Sequence, residues 1–178
     1  HGAVFSGAML SKTGFAECDF TEARFEGTDL TQVNFSGMTM TGAHFQRATL
    51  MKTVLTRCDL TGCDFSQADL GWSMLTGALL DRARFQETRL NKSLLSQTSL
   101  KGADFTRAQL TSTVFERAVL HNASFAGATL FKVVLRGSDL QGQDLSGLSW
   151  RQVLLDEAKL GKAILRGMDL SQSSLSRA

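Results

Sequence analysis

The sequence predicts an all-β chain wound as a square coil, and two regularities carry that reading. Every fifth residue from Phe5 to Leu175 is Phe, Leu, Met or Trp without a slip: eleven Phe, twenty-two Leu, Met40 and Trp150. The chain holds 46 residues of these four types and 35 fall on this one phase, where an even spread would place about nine. A period of five fits neither a helical turn nor the alternation of a flat strand, so it marks an architectural repeat. The second regularity is a sorting at twenty residues. Positions 5, 25, 45, 65, 85, 105 and 125 are all Phe, and positions 10, 30, 50, 70, 90, 110 and 130 are all Leu. Four five-residue words therefore close one turn, and residues twenty apart stack at the strand spacing of roughly 4.8 Å.

Each position in the word has its own task. With the large apolar residue as centre, the position two before it holds fifteen Ala, six Thr, four Ser and three Cys among 35 complete words, so it also points inward. The residue just before the centre is often Asp, as at Asp59, Asp64 and Asp69. The two residues after the centre are rich in Ser, Thr and Gly, which turn a backbone readily. One large and one small inward side chain followed by a bend make one wall of the square. Seven Phe rings then form an internal ladder beside seven Leu, in the manner of stacked β-solenoid interiors. Proline is absent and the register is unbroken. Residues 1–178 therefore read as a single domain with no inserted loop. The chain opens on His1 in register and without Met, which we read as a segment of a longer protein.

One coil departs from the rule. Gln143 and Leu148 put bulky groups where Ala is usual, and Trp150 stands where a Leu centre is due. Overpacking costs about 1 to 3 kcal/mol, so a local distortion is expected over residues 143–153.

Composition excludes several function classes. Nineteen Lys plus Arg against seventeen Asp plus Glu give a net charge of +2, too small to argue for nucleic acid or an anionic membrane. No run approaches the length of a membrane-spanning helix, and no charged-then-apolar leader opens the sequence. Cys18, Cys58 and Cys63 all occupy the small inward position and need no chemistry there. Cys18 and Cys58 lie two coils apart, roughly 9.6 Å by the strand spacing, beyond disulfide reach. Cys58 with Cys63, on adjacent walls, stays open, although three inward thiols favour a reducing compartment. A zinc site is disfavoured because no His shares the inner lattice. His44 and His121 face outward beside no recurring nucleophile or carboxylate, and read as solvated, with His1 at the end. Asp59, Asp64 and Asp69 project from three different walls, and read as bend residues that accept backbone N–H groups. No phosphate loop, dinucleotide fingerprint or metal-spaced pair occurs. The reading is of a protein that is not an enzyme and has no catalytic residue, cofactor or metal.

The outward columns carry what remains. Arg24, His44, Asp64, Arg84 and Asp104 follow one another on one wall and Asp69 faces Arg89 on the next. Opposite charges on neighbouring strands contribute about 0.2 to 1 kcal/mol per pair. On the third wall the column runs Gly14, Asn34, Val54, Met74, Leu94, Val114, Val134, Leu154, Ser174: six consecutive apolar residues. Met51, Trp72 and Phe131 occupy the bend leading into that wall. Isolated exposed apolar residues are ordinary, but nine converging on one face mark a protein contact. Lys12, Lys52, Lys92 and Lys132 follow the same edge at forty-residue spacing, either as gatekeepers for a greasy strip or to steer an acidic partner. The expected partner is another protein or a flanking domain, with a homo-oligomer as one form of that contact.

The words closely resemble the pentapeptide-repeat family, whose signature A(D/N)LXX or A(D/N)FXX is matched most literally at Gly102-Ala103-Asp104-Phe105 and Gln67-Ala68-Asp69-Leu70. The resemblance spans the whole chain. It implies a right-handed quadrilateral β-helix of about nine 20-residue coils and roughly 43 Å length by the strand spacing. It further implies a bacterial interaction module, some members occurring in secreted effectors or secretion-system adaptors. Localisation would then be cytoplasmic, or delivery from the bacterial cytoplasm by a secretion system. An alternative within the family is a protein that protects DNA gyrase by imitating duplex DNA. Such mimics are markedly acidic, which the near-neutral charge here opposes.

Overall fold

The computed structural model describes residues 2–15, 18–148 and 150–178; His1 lies outside them. Its backbone is a four-walled coil. Parallel bridges join residues twenty apart on every wall, from Val4 with Arg24 on the first to Leu154 with Ser174 on the third. A wall is too short for more than one bridging residue, which is the residue just before each centre. Its N–H and its C=O both reach back one coil, as when Met74 N donates to Thr53 O and Met74 O accepts from Leu55 N.

The bends explain why the word is five long. The N–H of the small inward residue closes most bends onto the carbonyl of the preceding centre, for example Ala48 N to Phe45 O at 3.0 Å. A bend of this kind with its third residue at positive φ is a type II turn. All 34 described residues two past a centre have positive φ; 12 are Gly and 22 are not. An L-residue pays roughly 1 to 2 kcal/mol in that conformation, and β-branched side chains suffer most. None of the 22 is β-branched. The outward Asp residues complete the bend from outside. Asp59, Asp64 and Asp69 each accept the backbone N–H two residues on, at 3.0, 2.9 and 2.9 Å. The expected bend role of the three carboxylates is what the geometry has.

The interior is the predicted double ladder. Rings of Phe5, Phe25, Phe45, Phe65, Phe85, Phe105 and Phe125 stack with centroids 4.8 to 5.1 Å apart and planes within 7°. The Leu column packs beside them in one continuous core. Most buried small inward residues with a polar head bond to backbone, whereas Ser73 Oγ finds no partner among the described residues. Thr53, Thr88 and Thr113 donate to carbonyls of the coil before, and Cys58 and Cys63 do the same with their thiols, to Phe35 O at 2.9 Å and Met40 O at 3.0 Å. Cys58 and Cys63, which the sequence left open as a pair, form no disulfide. Burial pushes the Cys58 and Cys63 thiols up, away from the reactive thiolate.

The irregular coil is a local change of pairing. Between Leu130–Phe131 (β1) and Trp150–Arg151 (β2) the single bridge widens to a two-residue parallel pair, Leu130 with Trp150 and Phe131 with Arg151. Gln143, Leu148 and Trp150 stay inward, and the Gln143 amide donates to Leu120 O. At Trp150 the bend is bridged by a side chain: Ser173 Oγ accepts from Val153 N at 3.1 Å and donates to Trp150 O at 3.1 Å. The Trp150 indole N–H is buried and finds no acceptor among the described residues. The excess volume is accommodated by a wider ladder, not by ejecting a side chain.

Candidate protein interface

The third wall assembles the six-residue apolar column into one strip. Val54, Met74, Leu94, Val114, Val134 and Leu154 bridge one another in succession, so the strip runs roughly 24 Å along the rod at the strand spacing. Met74, Leu94, Trp72 and Phe131 are exposed, at 42%, 38%, 53% and 37%. Met51, Val54, Val114, Val134 and Leu154 are half-buried; side chains stacked this closely shield one another's flanks and leave their tips to water. All nine residues proposed from sequence therefore lie on the same wall or its leading bend. Other apolar residues are exposed as well: Val4, Met9, Leu79 and Ile164. None of them bridges to an apolar neighbour: Val4 meets Arg24, Met9 meets Asp29, Ile164 meets Asp144, and Leu79 lies between Asp59 and Ser99. Continuity distinguishes the third wall, more than exposure does.

The leading edge of the strip is basic, and the trailing edge is mixed, with Glu116, Asp156 and Glu157 among its arginines. Along the leading bend, Lys92 Nζ lies 4.4 Å from the Trp72 ring centroid and Lys132 Nζ 5.2 Å from that of Phe131, with Lys52 exposed below them. Along the trailing bend Arg57, Arg117 and Arg136 are exposed, an edge that the sequence reading passed over. Arg136 pairs with Asp156 at 3.6 Å. Among the described residues, Lys52, Lys92, Lys132, Arg57 and Arg117 form no ion pair.

Elsewhere some charges pair between or along coils. Arg84 pairs with Asp64 at 3.5 Å across coils, as expected. Asp69 does not form the expected pair with Arg89: their backbones bridge, but Asp69 turns its carboxylate onto Gly71 N. The histidines are not freely solvated either. Both are half-buried, because corner side chains lean along the rod onto the next coil. His121 Nε2 lies 2.9 Å from Asp139 Oδ1, and His44 Nδ1 is 3.4 Å from Gln46 Nε2. Burial would raise the Asp139 carboxyl, but contacts with His121, Gln141 N and Lys159 hold it below the usual range. A surface hollow of about 510 Å³ beside His121 is lined also by Asn122, Gln141, Gly142, Gly161 and Lys162, with no Ser, Thr or Cys among its lining residues. No group of three metal-ligating side chains occurs among the described residues, and no helix is long and apolar enough to cross a membrane.

With the square coil and its repeat in view, comparison with known proteins is direct. Residues 48–125 match the model of the pentapeptide repeat region, and residues 1–37 and 134–172 match that of pentapeptide repeats in eight copies. The chain belongs to the pentapeptide-repeat family. Among solved pentapeptide-repeat structures it is similar to a trypsin-treated form of QnrB1, a plasmid-mediated fluoroquinolone resistance protein. The TM-score is 0.71 and the identity 21%, over 97% of this chain and 89% of that one. It is also similar to HetL, a pentapeptide repeat protein involved in heterocyst differentiation regulation from the cyanobacterium Nostoc sp. strain PCC 7120. There the TM-score is 0.55 and the identity 24%, over 98% of this chain and 85% of that one. At these identities the likeness is one of fold. No curated protein matches the chain. The comparisons indicate no catalytic family.

Proposed function

We propose that this pentapeptide-repeat protein is a non-catalytic scaffold that binds another protein through the apolar strip of its third wall. The observation that carries the reading is the unbroken column from Val54 to Leu154 on a rod whose other exposed apolar residues are isolated. A contiguous exposed patch of this kind marks an interaction site, and rigid solenoid faces are suited to that use. The winding proposed with it is the family's: right-handed, over about nine coils by the strand spacing of roughly 4.8 Å. The finer setting, a module of a bacterial secreted effector or secretion-system adaptor, rests on family resemblance alone.

The test is the double variant Met74→Glu with Val114→Glu. Both side chains point outward, so the fold should survive, while self-association or capture of a partner should be lost. Unchanged fold, oligomeric state and partner binding together would refute the reading. Gyrase protection by DNA mimicry is opposed by a net charge of +2 and by the basic leading margin of the strip. It predicts an effect on gyrase supercoiling that we expect to be absent.

A further inference from the structure

We propose that the partner of the third wall is an acidic, amphipathic α-helix of about four turns, anchored by Trp72; this rests on the scaffold reading above. Three features of the wall select that chemistry.

The first is hydrogen bonding. Every strip residue from Val54 to Leu154 already spends both its N–H and its C=O on the preceding coil, as Leu94 does with Ser73 O and Leu75 N. An extended peptide laid on this wall would find no backbone partner and would bury unsatisfied amides. A helix satisfies its own backbone and offers an apolar stripe. At 1.5 Å per residue, roughly 24 Å of strip accommodates about 16 residues.

The second is charge. Lys52, Lys92 and Lys132 line the leading margin, which carries no acidic residue, and all three lack carboxylate partners among the described residues. A second copy of this chain docked face to face with the rods antiparallel would set the two lysine margins against each other, and like-charge juxtaposition is unfavourable. Acidic residues along one side of an apolar stripe would complement the lysines.

The third is Trp72. It is the only aromatic among the 22 non-glycine residues held at positive φ, the other 21 being polar. It is more exposed than any strip residue and carries the Lys92 ammonium over its ring. A large apolar group in a strained and solvated position gains nothing for the fold that glycine would not supply. Tryptophan is among the residues that most often dominate binding energy. Farther along the same margin, a notch of about 320 Å³ lined by Ala128, Thr129, Leu130, Phe131 and Arg151 could receive an apolar side chain of the helix.

The experiment uses two synthetic 16-residue helices with leucines at i, i+3, i+4 and i+7 spacing, one with glutamates on its polar face and one with lysines. Fluorescence anisotropy would measure both against the unaltered protein, against Trp72→Gly, and against Lys52→Glu, Lys92→Glu and Lys132→Glu combined. The glutamate helix is expected to bind about tenfold or more tightly than the lysine helix, with the preference reversed by the triple variant. Trp72→Gly should weaken the glutamate helix about tenfold without lowering the thermal midpoint. Equal affinity for the two helices, indifference to Trp72→Gly, or displacement by a single-stranded DNA oligonucleotide would overturn the inference. If neither helix binds and Met74→Glu with Val114→Glu dissolves a self-association of the unaltered protein, the partner chemistry is wrong while the interaction reading stands. If neither helix binds and the double variant changes nothing, both fall.

Discussion

Two columns with the same twenty-residue spacing meet opposite fates. Phe5 to Phe125 stack inside the first wall, and Val54 to Leu154 stack outside the third. Backbone spacing and like-on-like contact are the same in both. What differs is that the inner column is closed over by the other three walls, whereas nothing in the rod covers the outer one. Stacking by itself therefore supplies contact, and enclosure supplies most of the stability.

The sharpest way to break this comparison is Phe65→Ala. Its ring lies 4.9 Å from Phe45 and 5.1 Å from Phe85, and the dry walls cannot collapse into the space. A loss of about 3 to 5 kcal/mol is expected in chemical denaturation. Next comes a pair of adjacent residues that face opposite ways. Leu95 is fully buried, and Leu95→Ala should cost about 2 to 5 kcal/mol. Leu94 is exposed on the strip, and Leu94→Ala should stay within about 0.5 kcal/mol. Equal losses at the two positions would show that the outer column supports the fold as the inner one does.

Acid distinguishes the bends from both columns. Burial would raise the Asp104 carboxyl, but the Thr106 hydroxyl, Thr106 N and the Gln86 amide hold it below its ordinary value of 3.8. Glu26 is held at about 2: burial would raise it, and Ser6 and Arg24 outweigh that. Carboxylates depressed in the folded state stabilise it above their unfolded values. That contribution is lost as pH falls through the folded values, so the thermal midpoint should hold from neutrality to about pH 4 and drop below it. Asp104→Asn should leave the neutral midpoint nearly unchanged and make the acid drop shallower. Asn34 already performs the same bend, accepting Ser36 N at 2.9 Å. A modest effect is expected of Trp150→Phe, which removes an indole N–H that finds no acceptor among the described residues and keeps an aromatic ring. It should change stability by less than about 1.5 kcal/mol.

Much of the molecule is legible before any coordinates. Leu94 beside Leu95 shows where legibility stops, because sequence ranks the two alike and only the five-residue phase says which is enclosed. Asp69 and Arg89 share a bridge on the second wall, yet the carboxylate goes to Gly71 N because the bend amide is nearer and fixed. The bend rule was present but unread: glycine or a polar, unbranched residue two past nearly every centre signals positive φ. Trp72 breaks that pattern, and its oddity shows only once the backbone angle is known.

The five-residue phase and its twenty-residue sorting determined the square section, the two inner ladders and the wall on which the apolar column lies. They could do so because a solenoid turns sequence spacing directly into spatial stacking. Tertiary structure alone decided which polar groups neutralise one another and which basic side chains remain unpaired along the strip. It also decided how the coil at Trp150 makes room for its excess volume. These outcomes depend on angstrom-scale competition among neighbouring coils, which spacing along a chain does not encode.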